Sequence, residues 1–359
     1  MNGDVPLISV VIPVFNVRPY LAGCLDSVLG QPGSVRVEVI AVDDASDDGS
    51  GGLLDARARS DDRLRVEHLT GTAGPGNARN TGLARATGRY VWFADGDDQV
   101  QPGALDAISA ALTAAQPDVL LIDYVETYPD GSEQPSPGSA LLREAAIAGA
   151  GAAPVRLADM PKLINTTMTA WSKVFRREFL IGLDEPFRPG IHEDIPVSCA
   201  ALLRGCLGVL DRPCYRYRRS RPGSFMATSS TGHLAVFNAY EEVFAMLHKR
   251  AGADDPAVTP AVEAAVFERA IAHYAAVLQT TGPGIGRWGR PGLVPRRDRR
   301  RFFQRMHEDF RRYEPGGYRL PGGPAGIKFA MVKRGKYLAY ELSEPFNQAR
   351  VALRNKWLR

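Results

Sequence analysis

Three carboxylates in four residues are the feature of this chain that most directly indicates chemistry. Asp95, Asp97 and Asp98 follow the apolar run 90–94, whose β-branched and aromatic residues predict a buried strand. The carboxylates are then expected where the strand leaves its sheet, the edge at which open α/β sheets bind ligands. Clustered carboxylates repel one another unless a cation neutralises them, and Mg²⁺ or Mn²⁺ accepts oxygen ligands and bridges to phosphates. The spacing predicts a metal–diphosphate site, with a solvated acidic turn as the alternative.

Two more strands are expected to end at the same edge. The first ends at Pro13, Val14 and Phe15, and the second ends at Asp43 and Asp44. A carboxylate at this position can accept the imide N–H of uracil, and so discriminate uracil from bases that lack this donor. A helix-capping or turn role is an equal alternative for Asp44.

An arginine follows the glycine-rich loop 71–76 on a predicted helix. The guanidinium of Arg79 can bind phosphate oxygens, or it can hold the carboxylates of the metal site in place. Pairing with a nearby Asp is compatible with both roles. Arg79 is therefore a candidate nucleotide-binding residue.

The elements that would position these residues alternate between strands and helices. Strands are predicted at 7–15, 36–42, 64–69, 90–94, 118–124 and 207–217. Helices are predicted at 19–29, 53–58, 77–86, 103–115, 169–180, 195–203, 234–250 and 260–279, with an exposed excursion at 129–151. This alternation predicts an α/β fold built from parallel βαβ units. It ends near residue 230, so we predict two domains, 1–230 and a mostly helical region 231–359.

Composition and charge narrow the class of protein. The N-terminus has no basic segment followed by an apolar stretch, and no run reaches the roughly 18 apolar residues of a membrane span, so neither a signal peptide nor an anchor is expected. Four scattered cysteines without C-x-x-C spacing are expected to be reduced thiols of a cytosolic protein. Residues 287–359 hold 19 Lys/Arg and 6 Asp/Glu, a net charge of +13. The remaining residues then carry −9, since the whole chain carries +4.

Four sequence blocks together resemble the family 2 glycosyltransferases of the GT-A fold. They are LISVVIPVFN (7–16), VIAVDDASDDGS (39–50), GNARNTGLARATGRYVWFADGDD (76–98) and HEDIP (192–196), in the order seen in that family. The resemblance spans roughly residues 5–230. It implies a GT-A catalytic domain over 1–230, with a nucleotide-binding half at 1–100 and an acceptor half at 101–230. It also implies sugar transfer from a nucleotide diphosphate donor, usually a UDP-sugar, with inversion at the anomeric carbon.

The resemblance assigns roles to the residues that match its motifs. It places Asp43 on the uracil, Asp97 on the metal, and Asp95 on the donor ribose or a metal-bound water. Asp194 resembles the catalytic base that takes the proton of the acceptor hydroxyl, and Glu193 would orient the acceptor. Acidic residues at a helix start also suit the helix dipole, which by itself explains this pair structurally. Pro13, Val14 and Phe15 would line the nucleoside pocket.

Two further groups match less specific segments of the family. Trp171 and Lys173 match an acceptor-side segment, where Trp171 would stack on a sugar face, although a buried tryptophan is equally compatible. Arg221 and Ser224 match a loop that closes over the diphosphate. Many relatives carry a histidine in that loop, whereas the nearest here is His233, outside the motif. The third metal ligand is therefore left open.

The basic C-terminal region admits three interpretations. Its segments 299–312 and 327–340 place aromatic residues among cations. They form an amphipathic surface for an anionic membrane, a groove for a phosphate-rich polymer, or a helical subdomain whose aromatics are packed. Nucleic acid is the least favoured partner, because the rest of the chain is acidic.

The sequence predicts a metal-dependent inverting glycosyltransferase that uses Mg²⁺ or Mn²⁺. Its donor would be a UDP-sugar, and its acceptor a hydroxyl of an anionic cell-surface polymer, such as wall teichoic acid, or of a lipid-linked glycan. It would act in the cytoplasm, peripherally on the inner face of the plasma membrane, as a monomer or an oligomer. The alternatives are a transferase with a CDP-glycerol type of donor and a non-catalytic polymer-binding module. The D-x-D motif together with the Glu-Asp pair disfavours the module.

Overall fold

The chain alternates strands with helices up to residue 218, and the residues described beyond 230 are mostly helical. The computed structural model describes residues 5–33, 35–219, 229–279 and 293–343. The strands are β1 (Ile8–Val14), β2 (Val37–Asp43), β3 (Leu64–His68), β4 (Tyr90–Phe93), β5 (Gln99–Val100), β6 (Val119–Thr127), β7 (Glu133–Pro135), β8 (Lys173–Arg176) and β9 (Leu207–Arg218). The helices are α1 (Arg18–Leu29), α2 (Ser50–Ala58), α3 (Pro75–Arg85), α4 (Ala104–Ala115), α5 (Ser139–Ala145), α6 (Arg177–Gly182), α7 (Asp194–Arg204), α8 (Ala235–Ala251), α9 (Pro260–Leu278), α10 (Arg299–Tyr313) and α11 (Gly323–Lys333).

Within the described residues, the strands form one sheet of order β3-β2-β1-β4-β8-β6-β9-β5, with β7 beside β6. The pairs among β3, β2, β1 and β4 are parallel, as is β6 with β9, whereas β8 is antiparallel to both β4 and β6. Val14 lies opposite Asp43, and Asp43 lies opposite His68. The carboxyl ends of the first four strands therefore meet at one edge, and the predicted α/β fold is confirmed.

The core explains why these strands are so apolar. Strands β2 and β4 are buried along their whole length and β1 almost so, as in sheets with helices on both faces. Helix α3 approaches one face through Gly82, where a Cβ atom would lie 2.3 Å from Cγ1 of Val11. This close contact fixes α3 against β1, so that Arg79, one turn earlier, is buried near the strand ends.

Two predicted elements differ in the structure. The helix predicted at 169–180 is wrong: a 3-10 turn at Ala170–Ser172 leads into strand β8, and only then does α6 begin. Val174 and Phe175 are fully buried between β4 and β6, so sheet pairing overrides the helical spacing. The exposed excursion predicted at 129–151 contains β7 and α5, and α5 buries Leu142 and Ala145.

Chain contacts divide the protein into two compact units, Met1–Arg221 with Asp255–Ala257, and Pro222–Asp254 with Val258–Arg359. Aromatic packing holds the second unit together. Phe237 lies 4.5 Å, between ring centroids, from both Tyr274 and Phe302, and Phe267 lies 4.9 Å from Phe310. Packing within this unit therefore explains the aromatic residues Phe302 and Phe310 of α10. Among the residues that the structure describes, no helix is both long and apolar enough to span a bilayer.

Candidate active site

A buried guanidinium joins two of the predicted site motifs. Arg79 donates from Nη2 to Oδ1 of Asp95 at 2.9 Å, and from Nη1 to Oε1 of Glu193. Burial opposes the charge of Arg79, but the carboxylates of Asp95, Glu193 and Asp194 outweigh it and raise the arginine pKa. The pairing of Arg79 with a nearby Asp follows the sequence-based interpretation. Its link to Glu193, 114 residues away, brings the D-x-D loop and the start of α7 to one site.

The loop that carries the acidic motif is held in place by β9. Oδ2 of Asp98 accepts a hydrogen bond from the Tyr215 hydroxyl at 3.0 Å, and Oδ1 accepts from the Arg218 amide at 2.7 Å. The Tyr215 hydroxyl also accepts from the Asp95 amide at 2.8 Å. Arg218 Nε donates to the Asp97 carbonyl at 2.8 Å. Asp98 is thus a structural anchor, and its neighbours Asp95 and Asp97 are presented at the strand edge.

The carboxylate oxygens at this edge are suitable ligands for a hard divalent cation. Burial and the charges of Asp97 and Asp95 raise the pKa of Asp98 well above its usual value, as expected where carboxylates crowd together. In the described ranges, no cluster of three or more His, Cys, Asp or Glu side chains could hold a metal alone. Mg²⁺ and Mn²⁺ sites commonly use one or two carboxylates and complete their shell with water and substrate phosphates. Asp97 and Asp95, both partly exposed, are the residues that suit this arrangement.

Helix α7 brings the Glu193–Asp194 pair to the site. It begins at Asp194, with Pro196 in its first turn, as expected for a helix start. Gly76 lets α3 approach the preceding segment, because a Cβ atom there would lie 2.2 Å from the Arg188 carbonyl oxygen and 3.3 Å from Cγ of Glu193. Helix α3 is therefore in close contact with the segment that leads into α7, where Arg79 and Glu193 pair.

Asp194 is the first residue of α7, and its surroundings shift its pKa. Burial and the neighbouring charge of Glu193 raise its pKa to about 7, partly offset by Arg79 and Lys173. A carboxylate with a pKa near neutral can both accept and release a proton at physiological pH. The residue keeps partial exposure, which a base needs to reach an acceptor hydroxyl.

The two carboxylates at the end of β2 have different partners. Asp44 accepts from the Ala73 and Gly74 amides at 2.7 and 2.8 Å, so both of its oxygens tie the glycine-rich loop to the sheet. This is a loop-anchoring role, distinct from a cap involving Ser46. Asp43 instead accepts from the Ser46 amide at 3.1 Å and lies beside His68. Of the pair, Asp43 is the one whose surroundings remain compatible with a nucleobase.

The remaining nucleoside-pocket residues lie at the end of β1. Val14 is buried in the sheet, Pro13 is partly buried, and Phe15 is 40% exposed beyond the strand. Arg221 and Ser224 lie outside the described residues.

The acceptor-side residues take part in packing. Trp171 is only 3% exposed, and its ring stacks on Tyr215 and Tyr217 at 4.7 and 5.1 Å. Lys173 is fully buried, and its ammonium donates to the carbonyls of Thr167 and Thr169 at 2.5 and 3.1 Å, and to Ser172. The structure thus places both side chains inside the fold, which for Trp171 is the alternative of a buried tryptophan and not stacking on a sugar.

Two site residues escaped the sequence analysis, Tyr215 and His68. Tyr215 belongs to a predicted strand, and local sequence does not show that its hydroxyl reaches a loop 117 residues away. His68 follows directly from strand register, since parallel neighbours ending at one edge bring Asp43 and His68 side by side. The signal for His68 was therefore present in the sequence.

We expect Arg79→Met to lower the free energy of unfolding by about 3 kcal/mol, since it leaves Glu193 and Asp95 without their shared donor. Arg85→Met on the same helix removes only an exposed pair with Glu67 and should cost less than about 0.5 kcal/mol. Urea unfolding followed by tryptophan fluorescence measures both. Equal, small losses in the two variants would show that Arg79 does not hold the site together.

The known proteins to which this chain is similar in sequence are glycosyltransferases. Residues 9–180 match the model of glycosyl transferase family 2. The uncharacterized glycosyltransferase EpsJ of Bacillus subtilis is 37% identical over 116 residues, which cover 32% of this chain and 33% of that protein. The putative teichuronic acid biosynthesis glycosyltransferase TuaG of Bacillus subtilis is 41% identical over 101 residues, 28% of this chain and 40% of that protein. The chain thus spans well under half the length of these curated relatives.

Solved structures show the same fold over a longer stretch. Residues 1–349 of S. aureus TarS superpose with a TM-score of 0.64 at 19% identity, covering 95% of this chain and 91% of that one. The same fragment in complex with UDP-GlcNAc gives a TM-score of 0.67 at 20% identity, covering 95% and 92%. The GT-A fold followed by a helical C-terminal region is thereby confirmed. Residues 9–180, just under half of the chain, match glycosyl transferase family 2.

Proposed function

We propose that this protein transfers a sugar from a UDP-sugar to a hydroxyl of a cell-surface polymer or lipid-linked glycan, with inversion and with Mg²⁺ or Mn²⁺. The observation that carries the proposal is the Arg79 bridge, which gathers the D-x-D loop and the Glu193–Asp194 pair at one strand edge. A donor diphosphate at Asp97 and an acceptor at Asp194 would then share one site.

The relatives support the substrate classes. TarS, whose fold the chain shares, was solved in complex with UDP-GlcNAc, which supports a UDP-sugar donor here. TuaG is described as a teichuronic acid biosynthesis glycosyltransferase, which supports a cell-wall polymer as acceptor. The position of Asp43 beside the end of β1 supports a uracil contact, because its carboxylate can accept the imide N–H.

Each residue of the site has its own role in the proposed transfer reaction. Asp194 accepts the proton of the acceptor hydroxyl as that oxygen attacks the anomeric carbon from the face opposite the leaving UDP. Glu193, held by Arg79, orients the acceptor next to this base. A divalent cation held by Asp97 and Asp95 would supply stabilisation of the negative charge on the departing diphosphate. Arg79 fixes Asp95 in place for that task.

Asp194→Asn should retain UDP binding and lose transfer roughly 10²- to 10⁴-fold, because an amide cannot accept the proton. For the wild-type protein, kcat/KM should fall about tenfold per pH unit below about 7 and level off above it, since the base must be ionised and its pKa is raised to about 7. Transfer to polymer is measured across pH, with exposed Asp62→Asn as the matched control. Near-normal turnover of the Asp194→Asn variant would remove Asp194 from the mechanism.

The metal is tested by binding, without turnover. UDP should raise the melting temperature more with Mn²⁺ than without it, and Asp97→Asn should abolish only the Mn²⁺-dependent part of that increase. An unchanged Mn²⁺ increment in the Asp97→Asn variant would exclude Asp97 as a ligand. Stronger protection by CDP than by UDP would instead favour the CDP-activated donor. Binding of the polymer without either nucleotide would favour the non-catalytic module.

Peripheral membrane contact is proposed for the second unit. Ile327 on α11 is 58% exposed, and Leu338 and Leu342, four residues apart on the helical segment 337–343, are 75% and 69% exposed. Lys333, Arg334 and Lys336 are exposed in the same stretch of chain. Exposed apolar side chains next to cations suit an anionic bilayer surface, where lipid-linked acceptors reside.

The double variant Leu338→Ser/Leu342→Ser should weaken co-sedimentation with anionic liposomes by roughly tenfold, because it removes the apolar part of the contact. The control variant is Ile181→Ser, which changes an exposed apolar residue of the first unit. This variant should co-sediment with liposomes as the wild-type protein does. Added salt should weaken binding of the wild-type protein. Equal liposome binding by the double variant and the wild-type protein would contradict this surface.

A further inference from the structure

A histidine lies between two carboxylates at the edge where the nucleobase is expected. His68, the last residue of β3, has Nδ1 at 3.0 Å from Oδ2 of Asp43 and Nε2 at 3.0 Å from Oδ1 of Asp55. Asp43 is buried at the end of β2, whereas the side chains of Asp55 and His68 are 51% and 45% exposed. The cluster is therefore half open to solvent on the side away from Asp43.

The hydrogen bonds determine the charge of the ring. An ionised carboxylate oxygen only accepts, so each ring nitrogen that faces one must donate. A neutral imidazole carries a single N–H, and both contacts are satisfied only by the imidazolium. In agreement, hydrogen bonds to Asp55 and Asp43 raise the pKa of His68 above its usual value, against a smaller opposing effect of burial.

The other charged groups nearby are engaged elsewhere. Strand β2 and helix α2 pack against β3. The other charged residue of β2, Glu38, binds Ser9 and Thr87, and that of α2, Arg57, pairs with Asp26. Glu67, next to His68 on β3, pairs with Arg85. Asp43 and Asp55 are therefore the charges that govern His68.

The packing of α2 preserves this geometry. A Cβ atom on Gly51 would lie 2.6 Å from Oδ2 of Asp43 and 3.3 Å from Cε1 of His68. A side chain at position 51 would thus push apart the two groups that bond. The second oxygen of Asp43 accepts from the Ser46 amide, so the carboxylate is fixed from both sides.

We propose that His68 is a positioning residue for the nucleobase, an imidazolium that orients the Asp43 carboxylate toward uracil and makes nucleotide affinity pH-dependent. The inference rests on the proposed function, in which Asp43 receives the uracil imide N–H. When His68 is protonated, Oδ2 of Asp43 accepts a hydrogen bond from its Nδ1–H. When His68 loses its proton, the ring has one N–H for two carboxylates, so Asp43 loses a charged partner and is held less firmly beside the Ser46 amide. Affinity for UDP is then full below the raised pKa of His68 and falls as the pH rises through it.

The test measures the dissociation constant of UDP at fixed Mg²⁺ from pH 6.5 to 8.5 by calorimetry. The wild-type constant should rise roughly tenfold over this range, the value of one charge-assisted hydrogen bond. His68→Gln, which cannot titrate, should bind weakly with no such rise. Asp55→Asn removes one acceptor and should move the rise to lower pH. His248→Gln, an exposed histidine of the second unit, is the matched control and should behave as the wild-type protein.

Three outcomes overturn the inference in distinguishable ways. The same pH dependence in His68→Gln as in the wild-type protein would exclude His68 while leaving the UDP site intact. A ¹⁵N-detected pH titration of the wild-type protein should show that His68 keeps both ring protons to a higher pH than the exposed His248, and loss of the His68 proton at the same or a lower pH would contradict this inference even if a variant failed to fold. Absence of UDP binding by the wild-type protein at every pH would overturn the proposed function, and this inference with it.

Discussion

The site depends on one buried cation placed between carboxylates from distant parts of the chain. Arg79 pairs with both Asp95 and Glu193. Asp95 lies just after β4, and Glu193 lies just before α7. Without that charge, burying Glu193 beside Asp194 and near the D-x-D loop would be strongly unfavourable, since like charges repel and lose hydration together. The same guanidinium therefore stabilises the arrangement and sets the separation between Asp95 and Glu193.

Other contacts of the fold hold in place the acidic loop and the helix α3 that this ion pair connects. Tyr215 and the Arg218 amide hold Asp98, so β9 fixes the turn from which Asp95 and Asp97 project. Asp44 anchors the glycine-rich loop, and Gly76 and Gly82 let α3 approach both the α7 segment and β1. Rigid carboxylates that need not reorganise during reaction are what electrostatic catalysis requires.

The sequence predicted the site best where acidic residues directly follow a predicted strand. The acidic loop and Asp43 follow from apolar runs that stop at polar residues, and the parallel strands end at one edge as predicted. Arg79 follows from the helix predicted after the glycine-rich loop. The helix predicted at 169–180 was wrong because Val174 and Phe175 find partners in β4 and β6, which local spacing does not encode. Trp171 and Lys173 are packed inside for the same reason: their tyrosine and carbonyl partners are set by tertiary contacts.

The central claim is that a nucleotide diphosphate and an acceptor share one site across the Arg79 bridge. The most direct measurement is a crystal structure with UDP and Mn²⁺, located by its anomalous signal. We expect the metal at coordination distance from Asp97, the diphosphate beside it, and Asp194 facing the open side of the same cleft. Metal and diphosphate bound on a surface separate from Asp97 and Asp194 would contradict it.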